Sequence, residues 1–331
     1  MEFSTKIKTE NPDFNIQHQE PLFSMGSCFA ENIYNKLSEF KFPAMCNPFG
    51  TLFHPLAIEN ALMRIYSQQF YTPKEIFHYN DLFFSWDHST KFSTNKVDDT
   101  LEKINQNIEQ AHLFTNRAQV FIFTLGTAWA YHLKKGNFFV ANCHKIPQSQ
   151  FDKILLTPTQ VIQSLRNIIA LCKDINPEAN VIFTISPVRH AKDGFRENNL
   201  SKGTLHLAIN HVLSDETPGV YYFPSYEIVL DELRDYRFYD RDMLHPNQLA
   251  VEYIWERFAD TFFSQKTQEL NKEVGKINAA VAHRPMNPYA IEHRKFLYDT
   301  LKNIDQLALS FPPDTFKQEI DKIKYQIQHV Y

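Results

Sequence analysis

Two potential nucleophiles stand side by side in Gly26-Ser27-Cys28. A short apolar segment runs into Gly26 and a helical pattern begins directly after it, so Ser27 or Cys28 would sit at a helix N-terminus. The first N–H groups of a helix have no intrahelical acceptor and favour negative charge. A thiol placed there beside a histidine is expected to ionise at about pH 7 or below, rather than near 8.5. Far downstream, Asp242 and His245 lie three residues apart, just before Pro246. A carboxylate orients an imidazole and stabilises the imidazolium formed when the ring takes a proton. Nucleophile, base and orienting acid are the parts of an acyl-transfer site.

The hydrophobic pattern gives the elements that would bring these groups together. Residues 21–25 read as a short strand, and the helix after it carries Phe29, Ile33, Leu37 and Phe40 on one face. Residues 42–50 read as a second short strand ending in a turn, followed by an amphipathic helix with Ile58, Leu62 and Ile65 aligned. The aromatic-rich segment 70–95 reads as a hairpin insertion, and a helix near 98–115 carries Leu101, Ile104 and Ile108. Segments 120–126 and 180–187 are apolar runs of the kind found in parallel strands buried on both faces. A hairpin turns around Lys135-Gly136, and a helix opens at Thr157-Pro158 with an N-cap and a first-turn proline. A fifth strand lies within 219–229, and Val251, Trp255, Phe258 and Phe262 mark the last sheet helix. Connections this long suit parallel neighbours, so the expected class is α/β, a parallel sheet covered on both faces. The expected division is an α/β domain over 1–264 and a helical extension over 265–331, serving as lid, dimer surface or brace.

In doubly wound sheets, ligands bind outside the carboxyl ends of the strands. Here those ends carry Gly26-Ser27-Cys28, Asn47-Pro48-Phe49-Gly50, Gly126-Thr127-Ala128-Trp129 and Ser186-Pro187-Val188-Arg189-His190. Glycines let backbone N–H groups approach an oxyanion, and Arg189 with His190 reads either as a site for a substrate carboxylate or phosphate or as an exposed loop. The polar segment 193–203 is expected at the pocket mouth. His78, Asp87 and His88 include no helical i, i+4 histidine pair and read as structural or surface residues rather than metal ligands.

The string Gly26-Ser27-Cys28-Phe29-Ala30, with Asp242-Met243-Leu244-His245-Pro246-Asn247, resembles the GSCFA family, a branch related to the SGNH, or GDSL-like, hydrolases. The resemblance implies a flavodoxin-like three-layer α/β/α fold. It also implies esterase or acyltransferase chemistry on an acyl-ester small molecule or glycan, without metal or organic cofactor. Carried over by position, Gly26 matches the glycine of the first block, Gly50 the oxyanion glycine of the second and Gly126 the glycine of the third. Asp242 and His245 match the catalytic pair of the last. Laid on without a gap, Cys28 is the nucleophile and Phe29 the apolar residue after it; shifted by one, Ser27 is the nucleophile and Cys28 packs under the helix. The third block departs from the superfamily's Gly-x-Asn, because Ala128 holds the Asn position. Thr127, Trp129 or backbone N–H groups would then have to replace that oxyanion donor. The same departure supports a rival class, a non-catalytic protein that uses the fold to bind a glycan or a partner.

Composition narrows the classes. The 331 residues are 43% apolar, enough for a large core. A net charge of -4 with both signs interspersed gives no footprint for nucleic acid or an anionic membrane. The N-terminus is polar and no window approaches the roughly 20 apolar residues of a membrane span, so a soluble, cytoplasmic protein is expected. Cys28, Cys46, Cys143 and Cys172 form neither a CxxC pair nor a zinc spacing, which suits reduced thiols.

Overall fold

The computed structural model describes residues 5–9 and 12–330. Its main sheet has five parallel strands: β1 (Leu22–Gly26), β2 (Ala44–Cys46), β3 (Val120–Leu125), β4 (Asn180–Ile185) and β5 (Val220–Phe223). Their spatial order is 2-1-3-4-5, the flavodoxin-like arrangement. Leu22 pairs with Val120, and Val120 with Asn180, so the carboxyl ends of β1, β3 and β4 align along one edge. The order reverses between β1 and β3, and a crevice opens at such a switch point.

Side chains alternate across the sheet. Phe121 and Phe123 face one layer; Val120 and Ile122 face the other. The first layer holds α2 (Pro55–Tyr66), α3 (Val97–Thr115), α4 (Pro158–Ile175) and α5 (Phe195–Leu213). The second holds α1 (Cys28–Glu39) and α6 (Gln248–Phe262). Helix α4 begins as its sequence requires: Thr157 and Gln160 form a capping box with Pro158 in the first turn.

Two small antiparallel sheets decorate the carboxyl edge. Ile76–Tyr79 pairs with Leu82–Ser85 across Asn80-Asp81, both with positive φ, as a tight hairpin turn demands. Trp129–Leu133 is the central strand of a second sheet, flanked by Phe138–Val140 and by Phe151–Leu155. That last strand has no counterpart in the apolar pattern, because Asp152, Lys153 and Ile154 are all exposed.

Three C-terminal helices, α7 (Gln265–Ala282), α8 (Ile291–Ala308) and α9 (Lys317–Val330), share a core of Val274, Ile277, Leu297, Ile304, Phe316 and Ile323. They dock on the C-terminal end of α1. Lys41 pairs with Glu319 at 2.7 Å, Asn278 Nδ2 donates to Glu39 O, and Gly275 lies against Phe40. Among the described residues, no helix is long and apolar enough to cross a membrane.

Candidate active site

Gly26 ends β1 with φ +144, and a Cβ there would lie 2.1 Å from Thr124 O. Only glycine lets the chain pass so close to β3 and turn at once into α1. Its N–H donates to Asn47 Oδ1 at 2.8 Å, which ties the turn to the end of β2.

This turn separates the two nucleophile candidates. Ser27 takes the N-cap position of α1, but its hydroxyl makes no capping bond. Its Oγ is buried and has no hydrogen-bond partner among the described residues. Cys28, the first helical residue, places Sγ 3.7 Å from His245 Nε2. On the ring's other side, His245 Nδ1 lies 2.5 Å from Asp242 Oδ2. The dyad therefore meets Cys28 and not Ser27.

Asp242 also builds its own loop. Its Oδ1 accepts the N–H groups of Leu244 (2.9 Å) and His245 (3.0 Å), an Asx-type turn that lets Met243 take a positive φ. These N–H donors and the ring of His245 hold the carboxyl down to about 2, so it is ionised at neutral pH. The last sheet helix begins after Pro246. Asn247 is the N-cap, with Oδ1 accepting from Ala250 N and Nδ2 donating to Arg237 O. Pro246 sits before the cap in a bridge to Tyr239.

The thiol departs from expectation. Burial, aided by the Glu31 carboxylate, pushes Cys28 above its ordinary value, against the helix-start N–H groups and the charge of Lys202. Desolvation outweighs the helix terminus, so a preformed thiolate is not the resting state.

Several oxyanion assignments also change. Gly50 N–H is already bonded to Asn47 O at 2.7 Å, and with φ +80 the residue serves a turn. The N–H groups of Gly126 and Thr127 both donate to Phe53 O at 2.9 Å. Trp129 Nε1 donates to Glu197 O, so its ring is a wall rather than a donor. Ala128 N–H donates to Ser201 Oγ, and Trp129 N–H to Thr127 Oγ1. The two hydroxyls lie 2.8 Å apart and need only one proton between them. One hydroxyl proton is left over, and Thr127 is the member that lines the cleft. The remaining donors are the N–H groups of Cys28 and Phe29, which stand before the first intrahelical bonds.

These groups line a cleft of about 1040 Å³ at the carboxyl edge, walled by Phe53, Trp129, Tyr131 and Val188 and reaching Arg189 and His190. Burial holds His190 down to about 4, with its ring edge-on to Phe53 at 5.7 Å, so it is neutral. His54, which caps α2 through Nδ1, is likewise neutral. Two residues at the floor escaped the sequence reading. Segment 193–203, expected as a pocket mouth, forms most of the first half of α5 and turns Ser201 and Lys202 inward. Lys202 is fully buried, and its Nζ donates to Gly126 O (2.7 Å) and Ser186 O (2.6 Å), pinning the ends of β3 and β4. Burial lowers its ammonium to about 7, opposed by attraction to Cys28 and assisted by Arg189.

The tempting cluster of His78, Asp87 and His88 is dispersed. His78 lies on the hairpin; Asp87 bonds Tyr71 OH at 2.7 Å; His88 stacks on Phe49 and bonds Ser85. No group of three His, Cys, Asp or Glu that could hold a metal occurs among the described residues.

No functionally curated protein matches the chain. A family model described as GSCFA family matches residues 21–258, and one described as GSCFA domain protein, C-terminal domain, matches residues 274–329. The first span takes in every strand of the main sheet and the turn, cleft and loop that join Cys28 to His245, the second most of the helices that dock on α1; the chain belongs to the GSCFA family.

Proposed function

We propose that the protein is a thiol-dependent acyl hydrolase or acyltransferase acting on esters or thioesters, such as an acylated carbohydrate or a small-molecule ester. The observation that carries this reading is the line Cys28 Sγ, His245 Nε2, His245 Nδ1, Asp242 Oδ2, with separations of 3.7 Å and 2.5 Å at its two hydrogen-bonding steps. In the reaction, His245 Nε2 takes the Sγ proton as sulfur attacks the acyl carbon. Because the thiol is pushed upward, the proton leaves during attack rather than before it. The N–H groups of Cys28 and Phe29, with the Thr127 hydroxyl, hold the oxyanion. The acyl–oxygen or acyl–sulfur bond breaks and His245 returns the proton to the leaving group. The acyl group then rests on Sγ. Water or an acceptor hydroxyl, deprotonated by His245, attacks it, and the released sulfur recovers its proton.

The test is trapping. The protein is treated with p-nitrophenyl acetate, a fluorophosphonate or iodoacetamide, and adducts are mapped by mass spectrometry. Acetyl and carbamidomethyl groups are expected on Cys28, with acetylation lost in His245→Ala. Fluorophosphonate on Ser27 would overturn the thiol assignment. No selective adduct at either residue would make the cleft a binding site only, the role that Ala128 in place of a side-chain donor favours.

A further inference from the structure

We infer that the acyl donor is anionic and that its charged group is held by Arg189 at the wall of the same cleft. This rests on the acyl-transfer reading and adds the substrate's charge to it.

The first argument is charge. The chain is net negative, yet the cleft is lined by Lys145, Lys153, Arg189 and Lys192 against one carboxylate, Asp193. Lys153 already pairs with that carboxylate at 2.5 Å. The second is the fixing of Arg189. One terminal nitrogen donates to Asn199 Oδ1 at 3.0 Å, and the guanidinium lies 4.6 Å over the Phe195 ring. Its Nε is buried without a hydrogen-bond partner, and no carboxylate pairs with it among the described residues. A buried donor without an acceptor is unfavourable, and an oxyanion that reached it would relieve that cost. A guanidinium held flat also presents the fork that matches carboxylate or phosphate.

The third is its neighbour. Lys202, fully buried, is bonded only to two backbone carbonyls and lies within electrostatic reach of both Arg189 and Cys28. Arg189 and the partly ionised Lys202 thus share one end of the cleft without a counter-ion, and an anionic donor would supply one. The apolar wall of Phe53, Trp129 and Val188 remains for the rest of the acyl or leaving group, in a volume far beyond what an acetyl group fills.

The anion has two possible places on the donor, the acyl part or the leaving group. Two matched pairs separate them: mono-p-nitrophenyl succinate against p-nitrophenyl butyrate, and S-acetyl-phosphopantetheine against S-acetyl-pantetheine. The charged member of one pair is expected to show at least tenfold higher kcat/KM. That ratio should fall toward one in Arg189→Met, stay partly elevated in Arg189→Lys, and not change in Lys324→Met, a charge control on the distant bundle. Binding of succinate and phosphopantetheine to Cys28→Ala by calorimetry reads the anion site without turnover. Turnover with no preference in either pair, or a preference that Arg189→Met leaves intact, would overturn the inference while the acyl-transfer reading stands. Anion binding to Cys28→Ala that Arg189→Met abolishes, in a chain that turns over none of the four substrates, would keep the anion site and remove the acyl-transfer reading.

Discussion

One position along α1 decides which side chain can react. Ser27 is enclosed with an unbonded hydroxyl, while Cys28 reaches His245. Cys28→Ala is therefore expected to abolish turnover of any activated ester. Ser27→Ala removes a buried, unsatisfied polar atom, and should leave stability equal or raised by up to about 1 kcal/mol in urea unfolding. A clear destabilisation would mean that this hydroxyl has a partner in solution. Asp242→Asn retains an acceptor for the loop N–H groups but loses the charge facing Nδ1. A fall in kcat of about a hundredfold or more, with KM nearly constant, is expected on steady-state assay. Lys202 makes a prediction about stability. Its folded value lies near 7 and its unfolded value near 10.5, so between those limits the unfolded chain binds more protons. Stability from this residue therefore rises with pH through that window, and its full penalty is felt below pH 7. Relative to Lys202→Met, the parent chain should gain about 2 kcal/mol between pH 7 and pH 9 by chemical denaturation. A pH-independent difference would place the ammonium in contact with water.

At the scale of elements, the turn from β1 into α1 does most to set the site. Gly26→Ala would drive a methyl into Thr124 O of the neighbouring strand, which cannot swing aside as a side chain can. A loss of about 3 kcal/mol or failure to fold is expected from denaturation or soluble yield. Glu31, in the first turn of α1, helps hold the Cys28 thiol up. Glu31→Gln should shift the pH profile of iodoacetamide alkylation downward, while costing about 0.5 kcal/mol of helix stability. An unmoved profile would leave burial as the whole cause. The same elements show what a sequence can and cannot disclose. β3 and β4 were legible because their runs are apolar on both faces, and Asp242 with His245 because the pair is local in the chain. Lys202 was not, since a lysine in a polar stretch reads as solvated until α5 is seen to turn it inward. Gly50 read equally as a turn glycine or an oxyanion donor for a similar reason: whether an N–H is free depends on the turn it closes. The raised thiol follows from enclosure, which no local pattern encodes. Phe151–Leu155 was missed because its exposed polar residues lack the alternation that marks a half-buried strand.

At the scale of the molecule, α1 is a rod of about 18 Å with the reactive thiol at one end and the C-terminal bundle at the other. Of the three roles open to residues 265–331, the lid fits least, because no described residue of that segment lines the cleft. The contacts are those of a brace. Lys41 and Glu319 pair at 2.7 Å with both side chains largely enclosed, and Lys41 also lies over the Phe316 ring. His18 Nε2 meets Asn271 Oδ1 at 2.9 Å, a further tie between body and bundle. Removing one member of an enclosed ion pair leaves the other charge without compensation, so Lys41→Met should cost roughly 2 kcal/mol or more. Much of that loss should return when Glu319→Gln is added, because the second change removes the stranded carboxylate. Cys28 and His245 stand at the opposite end of α1, at a cleft that no described residue of the bundle lines. The kcat/KM of Lys41→Met at 15 °C is therefore expected within twofold of the parent chain while its urea midpoint falls. A large rise in KM with an unchanged midpoint would reverse the argument, because the bundle would then have to reach substrate rather than steady the helix that presents the thiol.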